Sequence, residues 1–181
     1  MELISEFWEW TWARHANPLS WYIRPLFLLP FVYYAYKRSW RGISITMVAL
    51  ATSMFWFPAP KNPDPQILSF LEAEREYLTR DWTPAKVALS SLVPLSLWAL
   101  AAAFWRRSLG WGLVVLNGIA VTKTAWSVIY DEGGAAVVAP ALVGLVLTNA
   151  VVIAAVNWQR KRRHTHTEQA AVVDQEPIRL G

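Results

Sequence analysis

The sequence predicts an all-α integral membrane protein: a bundle of five transmembrane helices with an amphipathic helix in the long outer loop. Three observations predict this fold class. Hydrophobic residues make up 55% of the 181 residues, whereas soluble domains have about 45–50%. Charged residues make up only 17%, and tryptophan, which prefers the membrane–water interface, occurs 12 times. The length suits a single membrane domain at residues 1–163, followed by a polar tail at 164–181 that we expect to be disordered and cytosolic.

Five stretches are apolar over a length close to that of a membrane-crossing helix, which takes about 17–25 residues. The first is interrupted only by Arg24 and the fourth only by Lys123, while the second is short. Aromatic residues lie near many of their ends, as in the belts of membrane helices. The predicted spans are residues 19–36, 42–57, 85–105, 109–130 and 134–158.

The distribution of charge predicts how these spans are oriented. Nine basic residues lie in the loops after the first and third spans and after the fifth span, and acidic residues lie in the other loops. The positive-inside rule then places the protein in the cell (inner) membrane with its N-terminus outside and its C-terminus in the cytosol. The same distribution explains the pI near 9.6 without a nucleic-acid partner.

The long loop at residues 58–84 contains the predicted amphipathic helix, at about residues 65–80. Asp64 is suited to cap this helix and Pro65 to occupy its first position. Ile67, Leu71 and Leu78 recur at helical spacing and form its apolar face. We therefore expect the helix to lie on the outer membrane surface or over the bundle.

Arg24 and Lys123 are the two cations that lie several residues inside predicted spans, both in the outer half of the bundle. Such charges are costly in hydrocarbon, by about 2.5–3.5 kcal/mol each. One interpretation is that Arg24 reaches the headgroups and Lys123 bonds to helix carbonyls or serines. A second is that an outer acid, Glu72 or Glu76, folds down onto them. A third is an outward-facing pocket in which the two cations and Ser127 hold an anionic ligand.

Two asparagines predict a polar contact deeper in the bundle. Asn117 lies in the fourth span and Asn149 in the fifth, each roughly 12 Å from the cytosolic end of its helix. Their side chains are placed to hydrogen-bond across the two helices, which favours a structural role.

The sequence contains little that points to catalysis. It has no cysteine, no P-loop and no Ser–His–Asp arrangement. The weak candidates for acid–base chemistry are His15 with Glu72 and Glu76, and a single histidine with surface acids is not a metal motif. We therefore predict no metal and no cofactor.

The segment "RHANPLSWYIRP" carries a resemblance to a known group of proteins. It is similar to the opening of an uncharacterised group of small prokaryotic multi-pass membrane proteins with an N-terminal R-H-x-N-P-x-S-x-x-x-R pattern. The resemblance implies that His15 and Arg24 belong to one site, and it adds Arg14 as a ligand-binding candidate. The matching residues are Arg14, His15, Asn17, Pro18, Ser20 and Arg24.

These features favour a non-catalytic membrane module, either an accessory subunit or a lipid- or anion-binding protein with its site on the outer face. Its expected partners are membrane lipids, an anionic ligand, and other membrane proteins or further copies of itself. One alternative is a membrane-embedded enzyme acting on a lipid or amphiphile at the outer leaflet. Another is a small transporter or channel subunit, although the inner half offers few polar groups for a path.

Overall fold

The computed structural model of the protein describes the backbone of residues 2–130 and 138–175, and the side chains of residues 3–125, 138–158 and 161. All regular structure in these ranges is helical, which confirms the all-α prediction. The elements are α1 (Glu2–His15), α2 (Pro18–Leu26), α3 (Leu28–Tyr36), α4 (Trp40–Thr52), a 3-10 helix (Ser53–Phe55), α5 (Pro65–Thr79), α6 (Pro84–Trp105), α7 (Leu109–Tyr130) and α8 (Val138–Gln175).

Two helices are long and apolar enough to cross a membrane, namely α6 and residues 138–158 of α8. Residues 109–125 of α7 form a shorter apolar stretch. Only 17% of the apolar window of α6 and 22% of that of α8 is buried inside the protein. The core helix of a soluble protein would be mostly buried, so these two helices present their apolar side chains outward.

The first two predicted spans are not single long helices, so the helices by themselves do not give five spans. The first span is divided at Phe27 into α2 and α3, because Pro25 and Pro30 each lack the backbone N–H that a continuous helix would use. The second span ends as an α-helix at Thr52 after 13 residues and continues as one 3-10 turn. The predicted bounds of the third and fourth spans agree with α6 and α7 to within one residue.

The bundle is a ring in which α3 packs against α6, α6 against α7, α7 against α8, and α8 against α2, which leads into α3. Helix α4 lies outside this ring, against α3. Gly42 brings α4 close to Tyr34, and Gly144 brings α8 close to Pro25, since a Cβ at either glycine would overlap these side chains. The main core consists of Phe31, Val32, Ala35, Ile43, Leu100, Ala101, Phe104, Leu116 and Val152.

The turns after α3 and α6 lie at the same end of this ring. Arg38 donates a hydrogen bond from Nε to the carbonyl of Trp105 over 2.9 Å, and the rings of Trp40 and Trp105 are 4.9 Å apart. Arg38 and Arg107 have positive φ angles of 55° and 59° and follow the ends of α3 and α6, where a left-handed residue ends a helix. Two of the three basic segments therefore share one end of the bundle.

Helix α5 confirms the predicted amphipathic helix at 65–80. Asp64 caps it by accepting a hydrogen bond from the amide of Gln66 at 2.8 Å, and Pro65 is its first residue. Ile67 and Leu71 are buried as predicted. Leu78, the third residue of the predicted apolar face, is 46% exposed and lies beyond the small core formed around Ile67 and Leu71.

Within the predicted tail, the backbone of α8 continues as a helix over residues 164–175, to Gln175. This stretch contains neither glycine nor proline and includes several good helix formers. Residues 176–181 lie outside the described part of the chain.

The predicted contact between Asn117 and Asn149 is confirmed. Each side-chain amide donates to the oxygen of the other, at 2.8 and 3.1 Å. The remaining N–H of each amide donates within its own helix, to the carbonyls of Leu113 and Leu145. All four amide hydrogens of this pair therefore have partners.

Candidate functional site

The turn between α1 and α2 is built by the residues of the R-H-x-N-P-x-S pattern. The Asn17 side chain caps α2 by accepting a hydrogen bond from the amide of Leu19 at 2.9 Å, and Pro18 occupies the first helical position. Ser20 Oγ donates to the carbonyl oxygens of Asn17 and His15, and Trp21 Nε1 donates to the latter at 2.9 Å. These bonds fix the backbone on both sides of the turn and so fix the position of His15.

His15 is almost fully enclosed, with 1% of its surface exposed. Its ring stacks on Trp21, with centroids 5.3 Å apart and planes 13° apart, and Trp12 lies 5.9 Å away. Nε2 lies 3.2 Å from Nη1 of Arg24. Because a guanidinium only donates, Nε2 must accept this bond, and the ring proton lies on Nδ1, 3.5 Å from Ser20 Oγ. His15 is therefore a neutral acceptor in this arrangement.

Arg24 lies between this polar turn and the apolar interior of the bundle. Its Nε is buried and has no hydrogen-bond partner among the described residues. On its other side opens a narrow apolar cleft of about 30 Å³. Arg24 therefore turns into the bundle instead of extending along its outside toward headgroups. The cleft is lined, besides Arg24, by Phe27, Leu28, Phe31, Thr46, Met47, Leu50 and Leu97.

The acid that approaches this site is Glu74 of α5, with Oε2 3.8 Å from Nε2 of His15, a contact that becomes an ion pair only when the ring is protonated. Burial raises the pKa of Glu74, but with the ring protonated the hydrogen bond to His15 and the positive charges of His15, Arg24 and Lys123 outweigh it, so the pKa then lies below its ordinary value. Arg24 and Lys123 act in this direction whatever the state of the ring.

The structure does not bring the expected acids, Glu72 and Glu76, to Arg24. Glu72 is exposed, and Glu76 pairs with Arg80 on the solvent side of α5. Glu74 takes their place because it lies three residues after Leu71, on the same face of α5 as Ile67 and Leu71. This spacing is visible in the sequence and is the signal that would have pointed to Glu74, which the sequence-based prediction missed.

Lys123 is exposed on α7 and lies close enough for its charge to act on Glu74. With His15 neutral, Arg24 and Lys123 supply two positive charges and Glu74 one negative charge. The site therefore keeps one positive charge in excess. The side chain of Ser127, also expected here, lies outside the described residues.

Arg14 has another role than the expected ligand contact. Its guanidinium donates to the carbonyl of Phe57 at 3.3 Å and lies 4.3 Å from the ring centroid of Trp10. Asn17 donates to the carbonyl of Pro58 at 2.9 Å. Both side chains attach the turn between α1 and α2 to the segment that leads to α5.

A second concavity of about 290 Å³ lies between α1 and α5. Its wall is largely apolar and includes Trp12, Ala16 and Leu71, and the ion pair of Glu9 with Arg75 lies at its edge. Within the described side chains, no group of three acidic or histidine residues is arranged to hold a metal ion.

The fold and site define an all-helical protein with two helices that could cross a membrane and a charged cluster where α1, α2 and α5 meet. Comparison with known proteins finds no matching family model, no matching curated protein and no matching solved structure.

Proposed function

We propose that the protein is a five-span membrane protein with its N-terminus outside, and that its charged cluster binds the anionic headgroup of a lipid at the outer leaflet. The membrane part is supported by the outward-facing apolar side chains of α6 and α8. The orientation is supported by the shared end of the two basic turns after α3 and α6. In this arrangement α2 and α3 together form the first span, and α4 with its 3-10 turn forms the second.

The observation that carries the binding proposal is Arg24, a charged side chain turned into the bundle with a buried Nε that no described protein group satisfies. Unpaired buried donors are rare, and a charged one is especially unfavourable. The planar guanidinium presents a fork that suits phosphate or carboxylate oxygens. The excess positive charge of Arg24 and Lys123 over Glu74 favours an anion as the missing partner.

A lipid is favoured over a free anion by the surroundings of Arg24. One side of the guanidinium meets the polar turn at His15, and the other meets the apolar cleft between α3, α4 and α6. A ligand that contacts both sides is charged at one end and apolar next to that charge. That description fits a membrane lipid with an anionic headgroup.

The binding test uses native mass spectrometry of the purified protein from micelles containing equal phosphatidylglycerol and phosphatidylcholine with identical acyl chains. The wild type should retain phosphatidylglycerol preferentially. Arg24→Leu should reduce this preference by at least about tenfold, since a hydrogen bond to a charged group contributes about 1.5–3 kcal/mol. Arg24→Lys should restore it only in part, because an ammonium lacks the planar fork.

The matched control is Arg80→Leu, which removes the same charge from an exposed arginine that pairs within α5. It should retain the preference of the wild type. Soluble glycerol phosphate serves as the headgroup without chains. Competition by millimolar glycerol phosphate would show that the anion alone is recognised, whereas equal retention of both lipids by the wild type would contradict the proposal.

The orientation is tested by single-cysteine labelling, since the chain contains no cysteine. A membrane-impermeant maleimide should label Asn62→Cys, before α5, in intact cells. Lys37→Cys, in the turn between α3 and α4, should react only after the cells are permeabilised. The reverse pattern would invert the orientation, and labelling of both in intact cells would exclude a membrane-crossing α3.

A further inference from the structure

Helix α5 supplies the carboxylate that faces the Arg24 site, but only a small part of α5 is packed into the protein. Ile67 and Leu71 are its buried residues, in a small core with Ala16 and Trp21. Phe70 adds an edge-on ring contact with Trp21, at 5.0 Å between centroids. Beyond Leu71, α5 is mostly exposed to its C-terminal end.

The C-terminal part of α5 is fixed to α6 by the buried Lys86 and by a hydrogen bond between the hydroxyls of Tyr77 and Ser90 at 2.9 Å. Lys86 Nζ donates to the carbonyl of Arg80 at 2.7 Å, and only 8% of Lys86 is exposed. The ammonium lies 4.5 Å from the ring centroid of Trp82 and 4.7 Å from that of Tyr77. A cation at the negative end of a helix, held between aromatic faces, makes this end a fixed pivot.

Besides the small apolar core at Leu71, the polar contact that joins the middle of α5 to α1 is the ion pair of Glu9 with Arg75. Both side chains are more than half exposed, at 61% and 51%. Exposed ion pairs contribute little to stability because water screens them. Glu74, the residue next to Arg75, is therefore held at the cluster by a weak neighbouring contact and by its own attraction to the cations.

Glu74 lies beside the face of the Arg24 guanidinium that meets His15. Its carboxylate is 3.8 Å from Nε2 of His15, the atom that accepts the hydrogen bond from Arg24. A headgroup oxygen that reached the guanidinium from this side would meet the carboxylate and be repelled by it. Both cannot occupy the space at once without a loss of favourable charge contacts.

We propose that α5 is a displaceable lid and that Glu74 is an internal competitor, which occupies the anion position of the Arg24 site until a lipid headgroup replaces it. This inference rests on the proposed lipid-binding function. Binding of the headgroup separates Glu74 from His15, breaks the exposed Glu9–Arg75 contact and lets α5 pivot about its C-terminal attachment at Lys86.

The first test compares two charge-neutral substitutions on the same helix. Glu74→Gln removes the competitor and should tighten phosphatidylglycerol binding in detergent by at least about fivefold, a typical coupling between competing states. Glu72→Gln makes the same change at an exposed position of α5 and should leave binding unchanged. Weaker or unchanged binding by Glu74→Gln would contradict the proposal that Glu74 competes with the headgroup. Removing a carboxylate that helps to hold the ligand would weaken binding instead of tightening it.

The second test leaves the Arg24 site intact and restrains the lid. The double variant Glu9→Cys/Arg75→Cys is joined by a bis-methanethiosulfonate reagent with a spacer as long as the two native side chains. The joined protein should bind phosphatidylglycerol at least about tenfold more weakly than the unjoined double variant, and reduction should restore binding. Equal binding by joined and unjoined protein would show that α5 does not move.

The two proposals fail in different ways in these experiments. If neither the wild type nor Glu74→Gln prefers phosphatidylglycerol to phosphatidylcholine, the lipid-binding function itself is wrong. If the preference exists and depends on Arg24, but responds neither to Glu74→Gln nor to the crosslink, the binding function stands and the lid is wrong.

Discussion

Two polar groups inside the same helical bundle differ in how completely they are satisfied. Asn117 and Asn149 exchange two hydrogen bonds, and their remaining amide hydrogens bond to carbonyls of their own helices. Arg24 has one protein partner at His15, and its buried Nε has none among the described residues. Glu74 compensates only part of the local positive charge.

We interpret this difference as one between a group that stabilises the fold and a group that awaits a further partner. A neutral, reciprocal amide pair needs nothing further and holds α7 against α8. A charged group with unsatisfied donors destabilises the protein unless a further partner is supplied. Under the proposed function this missing partner is a bound ligand, and the Arg24 cluster is where we expect that ligand to matter.

The largest expected loss of stability comes from detaching α5, which also removes the Glu74 carboxylate from the Arg24 cluster. Leu71→Glu places a charge at a position that is 6% exposed and should destabilise the docked helix by about 2–4 kcal/mol. Hydrogen exchange in detergent should show lost protection in α5, while α7 and α8 around the asparagine pair stay protected. The matched control is Leu78→Glu, on the same helix at a position that is 46% exposed, and it should change little. Equal loss in both variants would mean that α5 is not docked through Leu71.

A smaller loss of stability is expected from breaking the hydrogen-bonded pair of Asn117 and Asn149. Asn117→Leu leaves the side-chain amide of Asn149 without its partner and should lower stability by about 1–3 kcal/mol. The double variant Asn117→Leu/Asn149→Leu removes both polar groups and should recover part of that loss. Thermal unfolding in detergent measures both values. If the double variant loses the sum of two single losses, the amides do not act as a pair.

The smallest effect concerns pH. Glu74 has a folded-state pKa below its ordinary value, so it stabilises the docked state at pH above that value and loses this contribution as pH falls through the folded pKa. Its side chain is 39% exposed, so screening by water keeps the contribution small. Wild-type protein should lose slightly more thermal stability than Glu74→Gln as the pH falls below about 4.3, the ordinary pKa of a glutamate. Parallel curves for the two proteins would show that Glu74 does not interact with the cluster.

Much of the fold was predictable because hydropathy alone bounds a long apolar helix. The bounds of α6 and α7 and the capped start of α5 follow directly from the sequence. The division of the first span did not, because Pro25 and Pro30 are each compatible with a kinked helix, and only the packing of Gly144 of α8 onto Pro25 shows how the two segments fit the bundle.

The site was predictable in part. The resemblance of the R-H-x-N-P-x-S-x-x-x-R segment implied that His15 and Arg24 belong to one site, and the structure places Nη1 of Arg24 3.2 Å from Nε2 of His15. Glu74 was missed because acids on an amphipathic helix are usually assigned to its exposed face, although position 74 is in phase with Ile67 and Leu71. Its proximity to Arg24 depends on how α5 lies across α1 and α2, which no local pattern specifies.

The most direct test compares Arg24, which lacks a partner for its Nε among the described residues, with the fully hydrogen-bonded pair of Asn117 and Asn149. It measures how a lipid changes the melting temperature of variants in each region. Thermal unfolding is followed with and without phosphatidylglycerol for the wild type, Arg24→Leu and Asn117→Leu. The account predicts that Asn117→Leu melts lower but keeps the full lipid-induced rise in Tm of the wild type. Arg24→Leu should melt at least as high as the wild type without lipid and should lose the rise. A lipid-induced rise that survives Arg24→Leu, or that disappears in Asn117→Leu, would contradict it.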